Sequence, residues 1–179
     1  MALPGAYLEA FTAEEISFQA EDELITIIPR RHIQEMQLAG WKLPALRPMR
    51  RTDVPLWLAL LLKKQDRCSI VFPNWMDEAV LKDFVEKERV EPGFSSLPWF
   101  WQPQSAALLA GASDDYTGNL DNIRQLLQDL REIRQAKVRQ GITLVNESHM
   151  QMDGLSLMEL NEVRPLMSKT MATLQKLHQ

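Results

Sequence analysis

The chain has little of several residue types on which catalytic and metal sites depend. Its 179 residues contain a single cysteine, Cys68, so an internal disulfide and a thiolate metal cage are both excluded. The three histidines, His32, His149 and His178, are far apart and have no metal-ligand spacing. The sequence also lacks a glycine-rich phosphate loop and a G-x-S-x-G nucleophile motif. It therefore predicts no metal, no cofactor and no catalytic residue.

Long hydrophobic runs and an excess of positive charge are also missing. No apolar stretch approaches the roughly 20 residues of a transmembrane helix, and no secretory leader pattern is visible near Met1. The net charge of −4 argues against general attraction to nucleic acid, because phosphates favour basic surfaces. With 45% hydrophobic and 25% charged residues, the composition is globular. We expect a soluble intracellular protein of one domain or two small ones.

Two hydrophobic patterns divide the chain near residues 47–54. A capping box that begins at Thr12 predicts a short helix over residues 12–22. β-branched residues at 24–28 and short apolar runs at 36–38 and 41–46 then predict three strands of a small sheet. From residue 54 onward the spacing is helical, and no later strand signal is comparable. The prediction is an α+β fold, mainly α, with a small β-rich part before about five helices.

The first of these helices is predicted at residues 54–64, VPLWLALLLKK. Pro55 suits the first turn of a helix, and Lys63 and Lys64 suit its negative C-terminal end. At about ten residues, an apolar helix of this kind must be covered by protein.

Four further helical segments follow. The last one opens with a capping box at residues 156–159, but Pro165 predicts a break, because proline removes a helical hydrogen bond. The predicted segments run from Asn74 to about 89, from Pro98 to about 109 with a stop at Gly111, over 120–139, and over 156–177 with the break at Pro165.

Three candidate chemical groups have a structural alternative. Cys68 would serve as a nucleophile only if a histidine met it in space, and a buried structural thiol is favoured. Asp114 and Asp115 resemble a metal-binding pair, but a solvated turn is favoured. The arginines of the 120–139 helix are interrupted by acidic residues, which favours a solvated face or protein-facing salt bridges over phosphate contacts.

The tryptophans are numerous for a small helical domain, which can bury only part of so much aromatic area. An ordinary core is one explanation. Permanent subunit contacts are the other, because aromatic residues and methionine are enriched there. The candidates for subunit contacts are Leu56, Trp57, Leu60, Trp75, Trp99, Leu155, Met158 and Leu160.

Four motifs in combination resemble one protein family. They are ELITIIP at 23–29, VPLWLALLLKK at 54–64, PNWMD at 73–77 and LSLMELN at 155–161. Together they are similar to the second Psf-type subunits of GINS, the four-protein complex of the eukaryotic replicative helicase, which are partners of Sld five. The similarity covers nearly all of the chain after residue 15.

This resemblance implies both an architecture and a role. GINS subunits share a helical A domain and a small β-rich B domain, and in this subunit type the B domain comes first. The expected domains are therefore residues 1–50, with a leading helix, and residues 51–179. The family implies a nuclear, non-catalytic scaffold that joins three other GINS subunits in a heterotetramer and helps to clamp a DHH-family companion protein onto the MCM ring.

Arg47, Arg50 and Arg51 are the candidates for docking to that helicase, with DNA contact at most indirect or weak. The alternative is a single-stranded nucleic-acid-binding module, in which arginines hold the backbone and tryptophans stack on bases. A free-standing enzyme has only Cys68 and scattered acidic residues in its favour.

Overall fold

The computed structural model describes residues 10–38, 40–143 and 153–177, and in them the fold is α+β and mainly α, as predicted. One-turn 3-10 helices lie at Asn74–Met76 and Ser113–Asp115. The helices and strands of the described residues are α1 (Ala13–Ala20), β1 (Leu24–Pro29), β2 (Met36–Leu38), β3 (Trp41–Leu43), β4 (Thr52–Pro55), α2 (Leu56–Lys64), β5 (Cys68–Ile70), α3 (Glu78–Val90), α4 (Trp101–Gly111), α5 (Leu120–Thr143) and α6 (Leu157–Leu177).

β1 is the central strand of a three-stranded antiparallel sheet. It pairs with β4, where Ile25 lies opposite Val54, and with β5, where Ile27 lies opposite Ile70. These four side chains are all buried, because alternate residues of a strand point to the same face. β2 and β3 form a separate two-stranded hairpin.

The predicted membership of the sheet is therefore wrong. Of the segments 24–28, 36–38 and 41–46, the first alone belongs to the three-stranded sheet, and the expectation of no strand beyond residue 54 fails at β5. β4 and β5 have four and three residues, too few to show a period of their own beside an apolar helix. The division into domains at residue 50 stays a prediction.

α2 begins two residues later than predicted. Pro55 is the last residue of β4 and the N-cap of the helix, with no side-chain cap. Backbone carbonyls that follow α1 accept the first N–H groups instead: Leu56 donates to Glu23 at 2.9 Å and Trp57 to Glu21 at 3.0 Å. The helix is covered by protein, as expected, through a buried face of Leu56, Leu58, Ala59 and Leu62.

α3, α4 and α5 confirm the predicted helices with shifted ends. Asp77 rather than Asn74 is the N-cap of α3, because residues 74–76 form a 3-10 turn first. α4 begins at Trp101 rather than Pro98 and includes Gly111. In the parts of the chain that the structure describes, no helix combines the length and the apolar character needed to cross a membrane.

α6 is one continuous helix, so the predicted break at Pro165 is wrong. The proline removes only one backbone hydrogen bond, and its side chain lies on the exposed side of the helix. Its ring therefore displaces no packed neighbour. The capping box at the start of α6 is confirmed: the Ser156 N–H donates to Glu159 Oε2 at 2.7 Å, and the Glu159 N–H to Ser156 Oγ at 3.5 Å.

Arg134 of α5 is completely buried, so it is not part of a solvated face of the 120–139 helix, and its salt bridges lie inside the protein. Its Nε and Nη2 donate to the two carboxylate oxygens of Glu159 at 2.7 and 2.9 Å. Nη1 donates to Glu88 Oε1 and to the Ser95 carbonyl, and Nη2 also donates to the Gly154 carbonyl at 2.7 Å. All five N–H groups of the guanidinium thus have an acceptor.

Two negative and two positive charges balance in this cluster. Lys137 donates to Glu88 Oε2 and to the Gly93 carbonyl, while the Ser95 N–H and hydroxyl donate to Glu88 Oε1 at 2.9 and 2.6 Å. The ring of Phe94 lies 5.0 Å from the Arg134 guanidinium carbon. We call Glu88, Arg134, Lys137 and Glu159 the buried ion cluster. It joins α3, α5 and α6. Among the described residues, the ion pairs of these four side chains are made with one another.

Replacing Arg134 with methionine tests this cluster. The change keeps the apolar stem but leaves buried carboxylates without their partner, so we expect the free energy of unfolding to fall by about 3–5 kcal/mol. Arg131→Met is the matched control on the same helix, because Arg131 makes an exposed pair with Glu162, worth less than about 1 kcal/mol. Urea unfolding at submicromolar concentration, followed by tryptophan fluorescence, measures both. If Arg134→Met and Arg131→Met lower the free energy of unfolding equally, the buried position of Arg134 adds nothing to its contribution.

The cluster also predicts sensitivity to acid. Burial opposes ionisation of Glu88, but hydrogen bonds from Lys137 and Ser95 and the charge of Arg134 outweigh it, so the pKa of Glu88 lies below its usual value. Its contribution to stability is therefore present above the unfolded pKa of about 4.3 and is lost as pH falls through the lower folded pKa.

Glu88→Gln should lower the urea midpoint at neutral pH and flatten its decline on acidification, because the group that must take up a proton is gone. The exposed Glu162→Gln change removes the same number of carboxylates and serves as the control. If the midpoint of Glu88→Gln declines with acid as steeply as that of the parent, Glu88 does not cause the sensitivity.

Candidate protein-interaction surfaces

Cys68 is a structural thiol, as predicted. It is fully buried in β5, and its Sγ lies 3.7 Å from the Ala59 carbonyl, which accepts a weak hydrogen bond. Burial, reinforced by the charge of Asp115, raises the pKa of Cys68 to about 11. The group is therefore a protonated thiol at neutral pH, and the nucleophilic thiolate is not formed.

Asp114 and Asp115 lie in the 3-10 turn before α5, and both pair with Lys63 of α2, at 2.7 and 2.8 Å. Asp115 also accepts a hydrogen bond from the backbone N–H of Ile70 at 2.7 Å. The expectation of a solvated turn is right for the exposed Asp114 and wrong for Asp115, whose side chain is buried against α2 and β5.

No metal site emerges from the acidic and sulfur-containing residues. Within the described ranges, no group of three or more histidine, cysteine, aspartate or glutamate side chains could hold a metal ion. His149 and His178 lie outside those ranges, and His32 is exposed.

The motif LSLMELN positions the start of α6. Asn161 clamps the backbone of Phe11, accepting its N–H at 2.8 Å and donating to its carbonyl at 2.7 Å. The Leu157 N–H donates to the Trp99 carbonyl at 3.2 Å, which brings the segment before α4 to the same helix end. No sequence signal indicates the contact between Phe11 and Asn161, which are 150 positions apart.

Four apolar residues lie on the segments that these hydrogen bonds join. Phe11 and Trp99 are 44% and 48% exposed, and Met158 and Leu160 are half-buried. We call Phe11, Trp99, Met158 and Leu160 the α6 surface. Exposed aromatic side chains, with methionine nearby in sequence, are typical of protein-binding sites.

The other candidates for subunit contacts lie deeper. Leu56 and Leu155 are buried in the chain's own interior, and Trp57, Leu60 and Trp75 are half-buried against its core. They therefore offer a partner less exposed area than Trp99 does. Their contact with any partner stays a prediction.

A second surface consists of arginines at one end of the sheet. Three backbone hydrogen bonds bring its segments together: Met49 donates to Pro29 at 3.0 Å, Arg50 to Arg47 at 3.3 Å, and Arg30 to Arg67 at 2.8 Å. The sequence pattern indicates Arg47, Arg50 and Arg51. The pairing of β1 with β5, which the pattern does not show, adds the other arginines. We call Arg30, Arg31, Arg47, Arg50, Arg51 and Arg67 the arginine face.

The arginine face carries a local excess of positive charge, although the chain as a whole is acidic. All six members are exposed, and all except Arg30 have no carboxylate partner among the described residues. Of the three carboxylates between residues 30 and 67, Asp66 pairs with Arg30 of the face, while Glu35 pairs with Lys42 and Asp53 accepts a hydrogen bond from the Thr26 hydroxyl.

The arginines of α5 differ from that face. Arg124 and Arg131 pair with Asp121 and Glu162, while Arg134 is buried. Base stacking would also need exposed aromatic rings. Among the tryptophans whose side chains the structure describes, Trp99 alone is exposed, and Trp101 is 1% exposed.

Two family models match the chain in succession. The PSF2 N-terminal domain matches residues 12–71, and the GINS complex protein helical bundle domain matches residues 75–178. The first match includes β5, and the second begins within the 3-10 turn that precedes α3.

Several yeast proteins described as "DNA replication complex GINS protein PSF2" are similar along their length. The protein of Candida albicans is 47% identical, over 99% of this chain and 88% of its own length. That of Debaryomyces hansenii is 45% identical, over 100% and 87%, and that of Saccharomyces cerevisiae 40%, over 99% and 92%. The chain therefore belongs to the PSF2 family of GINS complex proteins.

Proposed function

We propose that this chain is a non-catalytic scaffold subunit of a GINS heterotetramer, which acts in the nucleus. In this role it joins three other GINS subunits, and the complex connects the MCM ring with its DHH-family companion protein to form the replicative helicase. The observation that carries the proposal is the similarity to PSF2 proteins over almost the whole chain. Contact with DNA is at most indirect or weak.

The α6 surface supports the assembly part of the proposal. Asn161 and the bond from Leu157 to Trp99 fix the backbone of its segments, so little backbone freedom remains to be lost on binding. Burial of the apolar groups of this surface against a partner is favourable by about 25 cal/mol per Å² of apolar surface removed from water. Obligate interfaces resemble a domain core cut in half, and the half-buried Met158 and Leu160 together with the exposed Trp99 suit such a contact.

The arginine face supports the docking part. Five of its six arginines have no carboxylate partner within the described chain, and exposed charges mainly determine encounter rate and specificity. It is built on the sheet, whereas the α6 surface is built on helices, so the two can act independently. Assembly and docking should therefore be separable by mutation.

Replacing Met158 and Leu160 with aspartate should prevent assembly of the tetramer. A carboxylate forced into an apolar contact loses its hydration without gaining a partner, at a cost of several kcal/mol. The measurement is the native mass of the complex after co-expression of all four subunits. Val90→Asp is the control, since Val90 is a highly exposed apolar residue at the end of α3.

Trp99→Ser is a second variant that removes apolar area without adding charge, and it should weaken assembly while helix content stays at the parent value. A tetramer of normal mass with both the aspartate pair and Trp99→Ser would contradict the role of the α6 surface.

Charge reversal at Arg50 and Arg51 should leave the tetramer intact. Binding of the tetramer to MCM and its companion should instead weaken, and the remaining binding should depend less on salt, because fewer opposite charges are screened. A paired pull-down tests this, first with the other GINS subunits and then with MCM and its companion over a range of salt concentrations. Loss of the tetramer itself would show that assembly and docking are not separate.

A further inference from the structure

Met49 lies in the turn that carries Arg47, Arg50 and Arg51, and two of its features are unfavourable for the isolated fold. Its φ of 61° is in the left-handed region, which bulky side chains rarely adopt. Its side chain is 84% exposed, the highest value among the large exposed hydrophobic residues of the described chain. A methionine at this position therefore gains no burial and strains the backbone, so folding alone does not explain it.

The turn is nevertheless well fixed. The Met49 N–H donates to the Pro29 carbonyl at 3.0 Å, and the Thr52 hydroxyl donates to the Arg50 carbonyl at 3.3 Å. Arg30 next to this turn is held by Asp66 and by Ser69. A protruding apolar side chain on a rigid turn with unpaired cations around it has the arrangement of an interface anchor with a charged rim.

We propose that Met49 and the arginine face form one docking site for an acidic protein surface. Met49 enters an apolar pocket of the partner, and the unpaired arginines bind carboxylates around it. This inference rests on the proposed function and deepens it, because it gives the docking surface an apolar centre and a partner chemistry. It also adds Arg31 and Arg67, which the sequence pattern does not connect with the turn at 47–51.

The composition of the site favours protein over nucleic acid. Phosphate backbones are bound through positive charge, and single-stranded nucleic acid is also bound by aromatic rings on which bases stack. The site consists of arginines and one methionine, with no phenylalanine, tyrosine or tryptophan among them. Methionine and arginine are enriched at protein interfaces, and the planar guanidinium pairs with a carboxylate through two hydrogen bonds.

Met49→Gly is the decisive variant, because it should weaken binding without lowering the stability of the chain. Glycine relieves the positive φ, so the urea midpoint of the chain should stay the same or rise. Removal of the apolar anchor should weaken binding of the assembled GINS tetramer to MCM and its companion by about tenfold or more. Met49→Leu keeps an apolar side chain of similar volume and should retain binding close to that of the parent.

Arg67→Gln tests whether the separate segments act as one site. Arg67 is far from Met49 in sequence, yet the change should weaken the same binding and lower its salt dependence. Arg89→Gln, at an exposed arginine of α3 outside the face, is the matched control and should leave binding unchanged.

A single-stranded oligonucleotide is the competing probe for all variants. If Met49→Gly binds MCM and its companion as tightly as the parent, the inference is wrong while the proposed function stands. If Arg67→Gln weakens oligonucleotide binding and leaves protein binding unchanged, the face binds nucleic acid and the inference is again wrong. If the parent tetramer does not bind MCM and its companion at all, the proposed function fails, and the inference fails with it.

Discussion

The buried guanidinium of Arg134 is the interaction on which the helical part depends. Apolar side chains pack α3 against α5, but such contacts tolerate sliding, whereas a buried cation needs its acceptors at fixed positions. Glu88, Glu159 and the Gly154 carbonyl meet Arg134 together only when α3, α5 and the start of α6 lie in one arrangement. This arrangement also sets the position of the α6 surface. A substitution in the buried ion cluster should therefore alter that surface.

Local patterns explain which parts of the structure could be predicted. The amphipathic helix at 120–139, the two capping boxes and the buried Cys68 each depend on residue type and near neighbours, and all are confirmed. β5 and the burial of Arg134 depend on residues more than 20 positions away. Arg134 looks like an ordinary polar flank of its helix, because nothing in its own segment shows that Glu88 and Glu159 approach it.

The motifs that identify the family contain many residues that hold the fold. In LSLMELN, Ser156 and Glu159 cap α6, Glu159 also binds Arg134, and Asn161 clamps Phe11. The residues of the proposed docking site, such as Met49 and Arg67, lie outside those motifs. The family motifs therefore predict the architecture directly. The α6 surface and the arginine face depend instead on how separate segments of the chain come together in the fold.

The order of strands in the sheet has a consequence for synthesis of the protein. β1 leaves the ribosome first, yet its neighbours β4 and β5 are translated later, and β5 follows the whole of α2. Non-local pairing of this kind is slow, because the connecting loop must close before any contact forms. Until residue 70 has emerged, the apolar residues Ile25 and Ile27 have no complete sheet around them. The nascent chain is thus most open to misassociation early, before any of its helical bundle beyond α2 exists.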